Sequence, residues 1–205
     1  MIPVLSSAQA RAFDAYMGEQ CSVPSLLLME NAGRAAASLL GERLARGGRA
    51  GCVSIVCGPG NNGGDGFVVA RQLSLRGHAV RVLASGPREA LAPDARVNCG
   101  IWLGLGGELV SLPAEEGELR AALAAEWAGS ALIVDALFGT GLRRPVMARQ
   151  RVIVDSINAS GVDVVALDVP SGLCADTGAV LGAAVIAAQT ITFGHPKTGL
   201  LTTSA

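Results

Sequence analysis

Three short apolar runs in this chain stop abruptly at a loop that carries glycine and an aspartate. "CVSIVC" (52–57) runs into "GPGNNGGDG", "ALIV" (131–134) into "DALFGTGLRRP", and "VVAL" (164–167) into "DVPSGLCADTG". A continuous apolar run without alternation is the pattern of a strand buried on both faces. Such strands need helices on each side, and the intervening sequence supplies them. A helix is expected from about Asp65 to Arg76, ending at Gly77, and "AVRVLA" (79–84) reads as a second strand. Between 86 and 130, "PDARVNCGIWLGLGG" suggests a helix, "ELVSL" a strand and "EEGELRAALAAEW" a helix. "RVIVDSINAS" follows as a helix and "QTITFG" (189–194) as a last strand. Strands alternating with helices predict an α/β fold, Rossmann-like and doubly wound, with a mostly parallel sheet and right-handed crossovers. Hydrophobic residues make up 50% of the chain but aromatics only 3%, so the core must be built from Ala, Val, Leu and Ile.

The first fifty residues read as helical. Ser6 or Ser7 offers an N-cap to "SSAQARAFDAYMGE", Val23-Pro24-Ser25 marks a turn, and "LLLMENAGRAAASLLGERLARGG" ends at a glycine pair. One domain spanning 1–205 is expected, with 1–48 as a helical extension and 49–205 as the Rossmann-like core. The net charge of −1 provides no pull toward nucleic acid or an anionic membrane. The cysteines, Cys21, Cys52, Cys57, Cys99 and Cys174, are odd in number and lack C-x-x-C spacing. They support neither a disulfide framework nor a zinc site, and Cys52 and Cys57 are expected to be buried. No basic start with a long apolar segment opens the chain, and "AVLGAAVIAA" (179–188) is too short to span a bilayer, so a cytoplasmic location is expected.

In doubly wound sheets the ligand lies outside the carboxyl ends of the strands, where these three loops converge. Gly58, Gly60 and Gly63 have G-x-G-x-x-G spacing. A dinucleotide fingerprint also requires an acid about 20 residues on, at the end of the second strand, to hold a ribose. That strand ends "RVLASG", without a carboxylate. A P-loop requires a Lys after the glycines, and none is present. What remains is a glycine loop opening a helix near Asp65, whose backbone N–H groups are suited to phosphate. Asp65 is open to two readings, helix cap or substrate contact. Asn61 and Asn62 suit turn positions, although the neighbouring glycines already supply that freedom.

"NNGGDG", "VDALFGTGL", "LDVPSG" and "PKTGL", with "LMENAG" upstream, together resemble the NAD(P)H-hydrate epimerase family, the YjeF N-terminal domain. The resemblance runs from about Ser7 to Leu200 with the motifs in order. It implies an isomerase that interconverts the R and S forms of NADHX and NADPHX, cofactors damaged by water addition at C6 of the nicotinamide. The nicotinamide nucleotide would then be substrate rather than coenzyme. By the same resemblance, Asn61, Asn62, Gly63, Gly64 and Asp65 form one substrate loop. Gly139, Thr140, Gly141, Leu142, Arg143, Arg144 and Pro145 form a second. Asp168 is the substrate-contacting acid, with Asp65 the alternative acid/base. A potassium ion would be held by Asn62, Asp135 and Ser171, an amide, a carboxylate and a hydroxyl that suit a hard cation, with backbone carbonyls completing the shell. Without the resemblance, Asp135 and Ser171 also read as turn partners. A homodimer is implied, and so is a functional partner, an NAD(P)HX dehydratase, to which many relatives are fused.

The neighbouring polar residues have plainer readings. Lys197 is placed for a phosphate contact but reads first as a solvated surface lysine, and His195 suits catalysis but reads first as a hydrogen-bonding structural residue. Either Arg143 or Arg144 would meet a phosphate. Glu30 and Asn31 would brace the site and the dimer contact. The "EQCSV" before Pro24 departs from the Gly-Ile pair usual in relatives, and relatives commonly continue beyond the equivalent of Ala205, so either a missing C-terminal continuation or a shortened epimerase is expected. A rival reading is a non-catalytic nucleotide- or RNA-linked binding module of the same fold.

Overall fold

The computed structural model describes residues 2–47 and 51–202. Six strands form one sheet: β1 (Cys52–Cys57), β2 (Val80–Ala84), β3 (Leu109–Val110), β4 (Ser130–Ala136), β5 (Val164–Leu167) and β6 (Gln189–Ile191). Their order is β3-β2-β1-β4-β5-β6 and every pairing is parallel. This is the doubly wound order, with its reversal point between β1 and β4. β1 is buried throughout, as its uninterrupted apolar run requires, and so is β4.

Helices α1 (Ser7–Glu19) and α2 (Ser25–Gly47) precede the sheet, and α3 (Asn61–Ser74), α4 (Pro93–Gly104), α5 (Glu116–Ala128) and α6 (Ala148–Asn158) connect its strands. Alternate strand residues feed two cores. On one face Val53, Ile55 and Cys57 of β1 join Leu132 and Val134 of β4 beneath α2, α3 and α4. On the other, Val56 and Ile133 pack against Leu123 and Trp127 of α5 and Ile153 and Ile157 of α6. The period-2 geometry of a strand makes this division automatic. Cys52 and Cys57 are buried, as expected.

Of the two serines offered as an N-cap, Ser6 is the one used, within a capping box: its hydroxyl accepts from the Gln9 N–H while the Gln9 side chain accepts from the Ser6 N–H. α2 belongs to the core, because its Ala36, Ala37 and Leu40 lie in the same buried cluster as the sheet. The boundary expected at 48/49 lies outside the described residues. "AVLGAAVIAA" forms no helix; it runs as irregular chain between β5 and β6 and buries Ala183 and Val185 in the second core. Among the described residues, no helix is long and apolar enough to cross a membrane.

The glycine segment differs from expectation. α3 begins at Asn61, not near Asp65, and its N-cap is Gly60. Asp65 is therefore inside the helix and caps nothing, and Gly63 and Gly64 belong to its first turns. The reason is close packing. A Cβ at Gly58 would lie 1.7 Å from the Leu137 carbonyl oxygen, and one at Gly63 would lie 1.9 Å from that of Gly58. The glycines bring the start of α3 down onto the ends of β1 and β4, and this tertiary contact outweighs their poor helix propensity.

Candidate functional site at the reversal point

The carboxyl ends of β1, β4 and β5 are adjacent, so the loops after them meet in one crevice beside the start of α3. Asp135 is the penultimate residue of β4, paired with Val56 on one side and Ala166 on the other, and it is fully buried. Its Oδ1 accepts from Ser171 Oγ at 2.6 Å and from the Leu137 N–H at 3.1 Å, and its Oδ2 accepts from the Ser171 N–H at 2.8 Å. Burial pushes the Asp135 pKa up to about 6, and those hydrogen bonds hold it from rising further.

Asn62 reaches the same group. Its Nδ2 donates to the Phe138 carbonyl at 2.9 Å, an oxygen also 3.2 Å from Ser171 Oγ. Its Oδ1 is buried and accepts no hydrogen bond from the described residues. A buried amide oxygen without a donor costs about 1–3 kcal/mol, and a cation relieves that cost as well as a donor does. Asn62, Asp135 and Ser171 are thus brought together as the sequence suggested. The Phe138 carbonyl is a fourth oxygen, on the backbone, where side-chain motifs cannot reveal it.

Asp168 follows β5 and adopts φ 65°, a left-handed conformation that a non-glycine residue holds only under constraint from its surroundings. Its N–H donates to the Ile191 carbonyl at 2.7 Å, and its Oδ2 accepts from the Thr140 N–H at 3.3 Å. A Cβ at Gly139 would sit 3.0 Å from the same Oδ2, so the second glycine loop lies directly against this acid. Lys197 is not a solvated surface lysine. It is 3% exposed, and its Nζ stands 2.5 Å from Asp168 Oδ1.

Asp65 lies across the crevice on α3, partly exposed. Its pKa is pushed well above the ordinary carboxylate value, by burial first, then by the charges of Asp168 and Asp14, against a smaller opposing pull from Lys197. Asp14 of α1 is also raised, by burial and by Asp168, with Lys197 opposing. Neither Asp14 nor the buried role of Lys197 followed from the sequence. The "PKTGL" motif was the available signal for Lys197; Asp14 has no local signal.

Arg143 is occupied: it donates to Ser7 Oγ at 2.9 Å and pairs with Asp176 at 3.4 Å. Arg144 is exposed and makes no hydrogen bond or ion pair among the described residues. Gly141, Leu142 and Pro145 complete that loop at its rim. His195 packs its ring edgewise on Phe13, with centroids 5.6 Å apart, a structural role. Glu30 braces α2 against α3 through Arg71 and Gln72. Asn31 is exposed and takes no part.

The chain as a whole resembles a known group. The family model described as "YjeF-related protein N-terminus" matches residues 25–199. The NAD(P)H-hydrate epimerase of Rhodopirellula baltica is 38% identical over 97% of this chain and 77% of its own length. That of Oenococcus oeni is 40% identical over 96% and 88%. The bifunctional NAD(P)H-hydrate repair enzyme Nnr of Moorella thermoacetica is 40% identical over 97% of this chain, which spans only 37% of that relative. The crystal structure of the yeast protein ynu0 superposes with a TM-score of 0.83 at 27% identity, covering 97% of this chain and 83% of that one. The chain belongs to the YjeF-related N-terminal family, the family of the NAD(P)H-hydrate epimerases.

Proposed function

We propose that this chain is an NAD(P)H-hydrate epimerase that interconverts the R and S hydrates of NADH and NADPH. The observation that carries the reading is Asp168. A carboxylate held in a left-handed backbone, against a glycine loop and opposite a second acid, is costly for a fold that only binds. In the hydrate, the hydroxyl at C6 sits beside the ring nitrogen. A carboxylic acid protonates that hydroxyl, and water departs as the nitrogen lone pair forms a planar C=N cation. Water then adds to the opposite face and returns its proton to the carboxylate, so no electron is gained or lost. Asp168 and Asp65 flank the crevice, and one of the two is that acid/base, the other a charge beside it. Asn61, Gly63, Gly64 and the 139–145 loop would bind the nucleotide, with Arg144 free to meet phosphate because Arg143 is engaged.

Asn62, Asp135, Ser171 and the Phe138 carbonyl would hold a potassium ion, and the partnerless Asn62 oxygen supports that fit. When bound, the ion supplies fixed positive charge beneath the second glycine loop. Its affinity should weaken about fivefold between pH 6 and pH 5, as Asp135, with a pKa of about 6, takes up a proton. The native value lies above the unfolded one of about 4, so the cation-free fold loses stability as pH rises from about 4 to about 6. Thermal shifts in potassium against tetramethylammonium chloride at each pH measure both effects. A cation response independent of pH removes Asp135 from the ligand set.

Phe13, Tyr16, Leu26 and Leu27 are exposed on α1 and α2 and support a homodimer formed through the N-terminal helices. The bifunctional relatives support an NAD(P)HX dehydratase as functional partner. The cysteines, none disulfide-bonded, suit the cytoplasm. The deciding experiment incubates the chain with mixed R and S hydrates and a strictly S-specific dehydratase. The R form should vanish faster than it does spontaneously. Binding of the hydrates without that acceleration would make the chain a binding module instead.

A further inference from the structure

Lys197 lies just beyond β6 and is 3% exposed, a depth at which lysine occurs only with partners. Its ammonium has three protons to donate and meets three acceptors. They are Asp168 Oδ1 at 2.5 Å, the Phe193 carbonyl at 2.7 Å and Thr192 Oγ1 at 3.0 Å. The backbone around it is pinned as well. The Leu5 N–H donates to the Pro196 carbonyl at 2.9 Å, and the Thr198 N–H donates to the Leu5 carbonyl at 3.1 Å. With Thr140 N–H on Oδ2, both oxygens of Asp168 are engaged, and its orientation is set from two sides. The other charged groups near the ammonium are Asp14 from α1 and Asp65 from α3. Asp65 has no hydrogen bond or ion pair among the described residues.

We infer that Lys197 is a positioning residue for the reaction: its ammonium locks Asp168 as an oriented anion against the glycine loop and leaves proton exchange to Asp65. The inference rests on the epimerase reading. The ammonium occupies Oδ1 and the Thr140 N–H occupies Oδ2, an arrangement that suits a fixed charge steadying a planar cation and leaves neither oxygen free to pass a proton to substrate. A donor needs a carboxyl free of such a partner, and of the two that lack one Asp65 is the more buried and lies on the first turns of α3, at the strand ends. One cation and three carboxyls therefore divide the work between an anchored charge and a mobile proton.

The test is a double-mutant cycle of Lys197→Met and Asp168→Asn, read in both melting temperature and turnover. Each single variant strands a buried polar or charged partner and should melt about 10 °C lower, and the double variant should recover most of that loss. Lys197→Met should lower kcat about 100-fold with KM changed less than about threefold, as expected for a misplaced reacting group. The double variant should turn over no more slowly than Asp168→Asn alone. In the wild type kcat/KM should fall on the alkaline side as Asp65 gives up its proton, and that alkaline fall should survive in Asp168→Asn, because the proton is carried elsewhere. Wild-type kcat in Lys197→Met, multiplicative losses in the double variant, or disappearance of the alkaline fall in Asp168→Asn would each overturn the assignment. If Lys197→Met does not fold, the double variant carries the turnover comparison. If the wild type does not epimerise at all, the epimerase reading fails, while additive melting losses separately refute the lock between Lys197 and Asp168.

Discussion

Asp65→Asn should slow epimerisation about 10²–10⁴-fold while leaving the affinity for the hydrates within a few-fold, the size expected for loss of a general acid. The substitution keeps the shape of the side chain and removes only its exchangeable acidic proton. Burial, and then repulsion by Asp168 and Asp14, hold the Asp65 carboxyl protonated well above the ordinary carboxylate range. In the wild type, kcat/KM should therefore hold steady at low pH and fall as pH rises through that elevated pKa. The sign follows from the chemistry: the hydroxyl must receive a proton before the C–O bond breaks, so the active form is the protonated one. The variant should show a flat, low profile over the same range. Chromatographic separation of the R and S hydrates during the time course gives both rates. A variant within tenfold of the wild type, with its pH dependence intact, would remove Asp65 from proton transfer.

Gly58→Ala should destabilise the fold by about 3 kcal/mol or more, with a melting temperature lower by about 10 °C. Ordinary overpacking is relieved by a side chain changing rotamer. Here the added Cβ would meet backbone, the Leu137 carbonyl oxygen at 1.7 Å, and its carbon at 2.7 Å. β1 and β4 would have to separate where the Gly58 N–H donates to the Ala136 carbonyl at 3.0 Å. Gly60→Ala is the matched control, because nothing lies within 4 Å of a Cβ there. It should melt within about 2 °C of the wild type. Calorimetry of the two variants side by side isolates the steric cost from the general loss of glycine. Equal melting temperatures would show that the strand ends separate without penalty.

Much of this architecture is legible in the residues alone. The continuous apolar runs sufficed for the sheet, because burial on both faces leaves its mark within each strand. The loops after β1, β4 and β5 followed, since a parallel sheet delivers every strand end to one side. The start of α3 was misplaced by a helical turn, because intrinsic propensity argues against Asn61-Asn62-Gly63-Gly64 as helix. The contact that overrides it lies on Leu137, far along the chain. Lys197 was misread for the same kind of reason. Lysine is ordinarily solvated, and its three acceptors come from Asp168, Thr192 and Phe193, which only the finished fold assembles. That Asn62, Asp135 and Ser171 meet was legible from motifs that follow neighbouring strands. The Phe138 carbonyl was not, since every residue carries one.

The contact between Leu5 and the segment around Lys197 has a consequence for the order in which the molecule assembles. The Thr198 hydroxyl reaches back to the Leu5 carbonyl across 193 positions, and the Ser7 hydroxyl reaches Asp176 across 169. Closing loops of that length is entropically costly before the intervening sheet exists to shorten the distance. The parallel strands must therefore be in place before the first helix can dock and complete the surroundings of Asp168. Partial opening runs in reverse, releasing that helix while the β1–β4 centre stays intact. Catalytic competence is thus the last property gained on folding and the first lost on warming, so inactivation should precede the melting of the sheet.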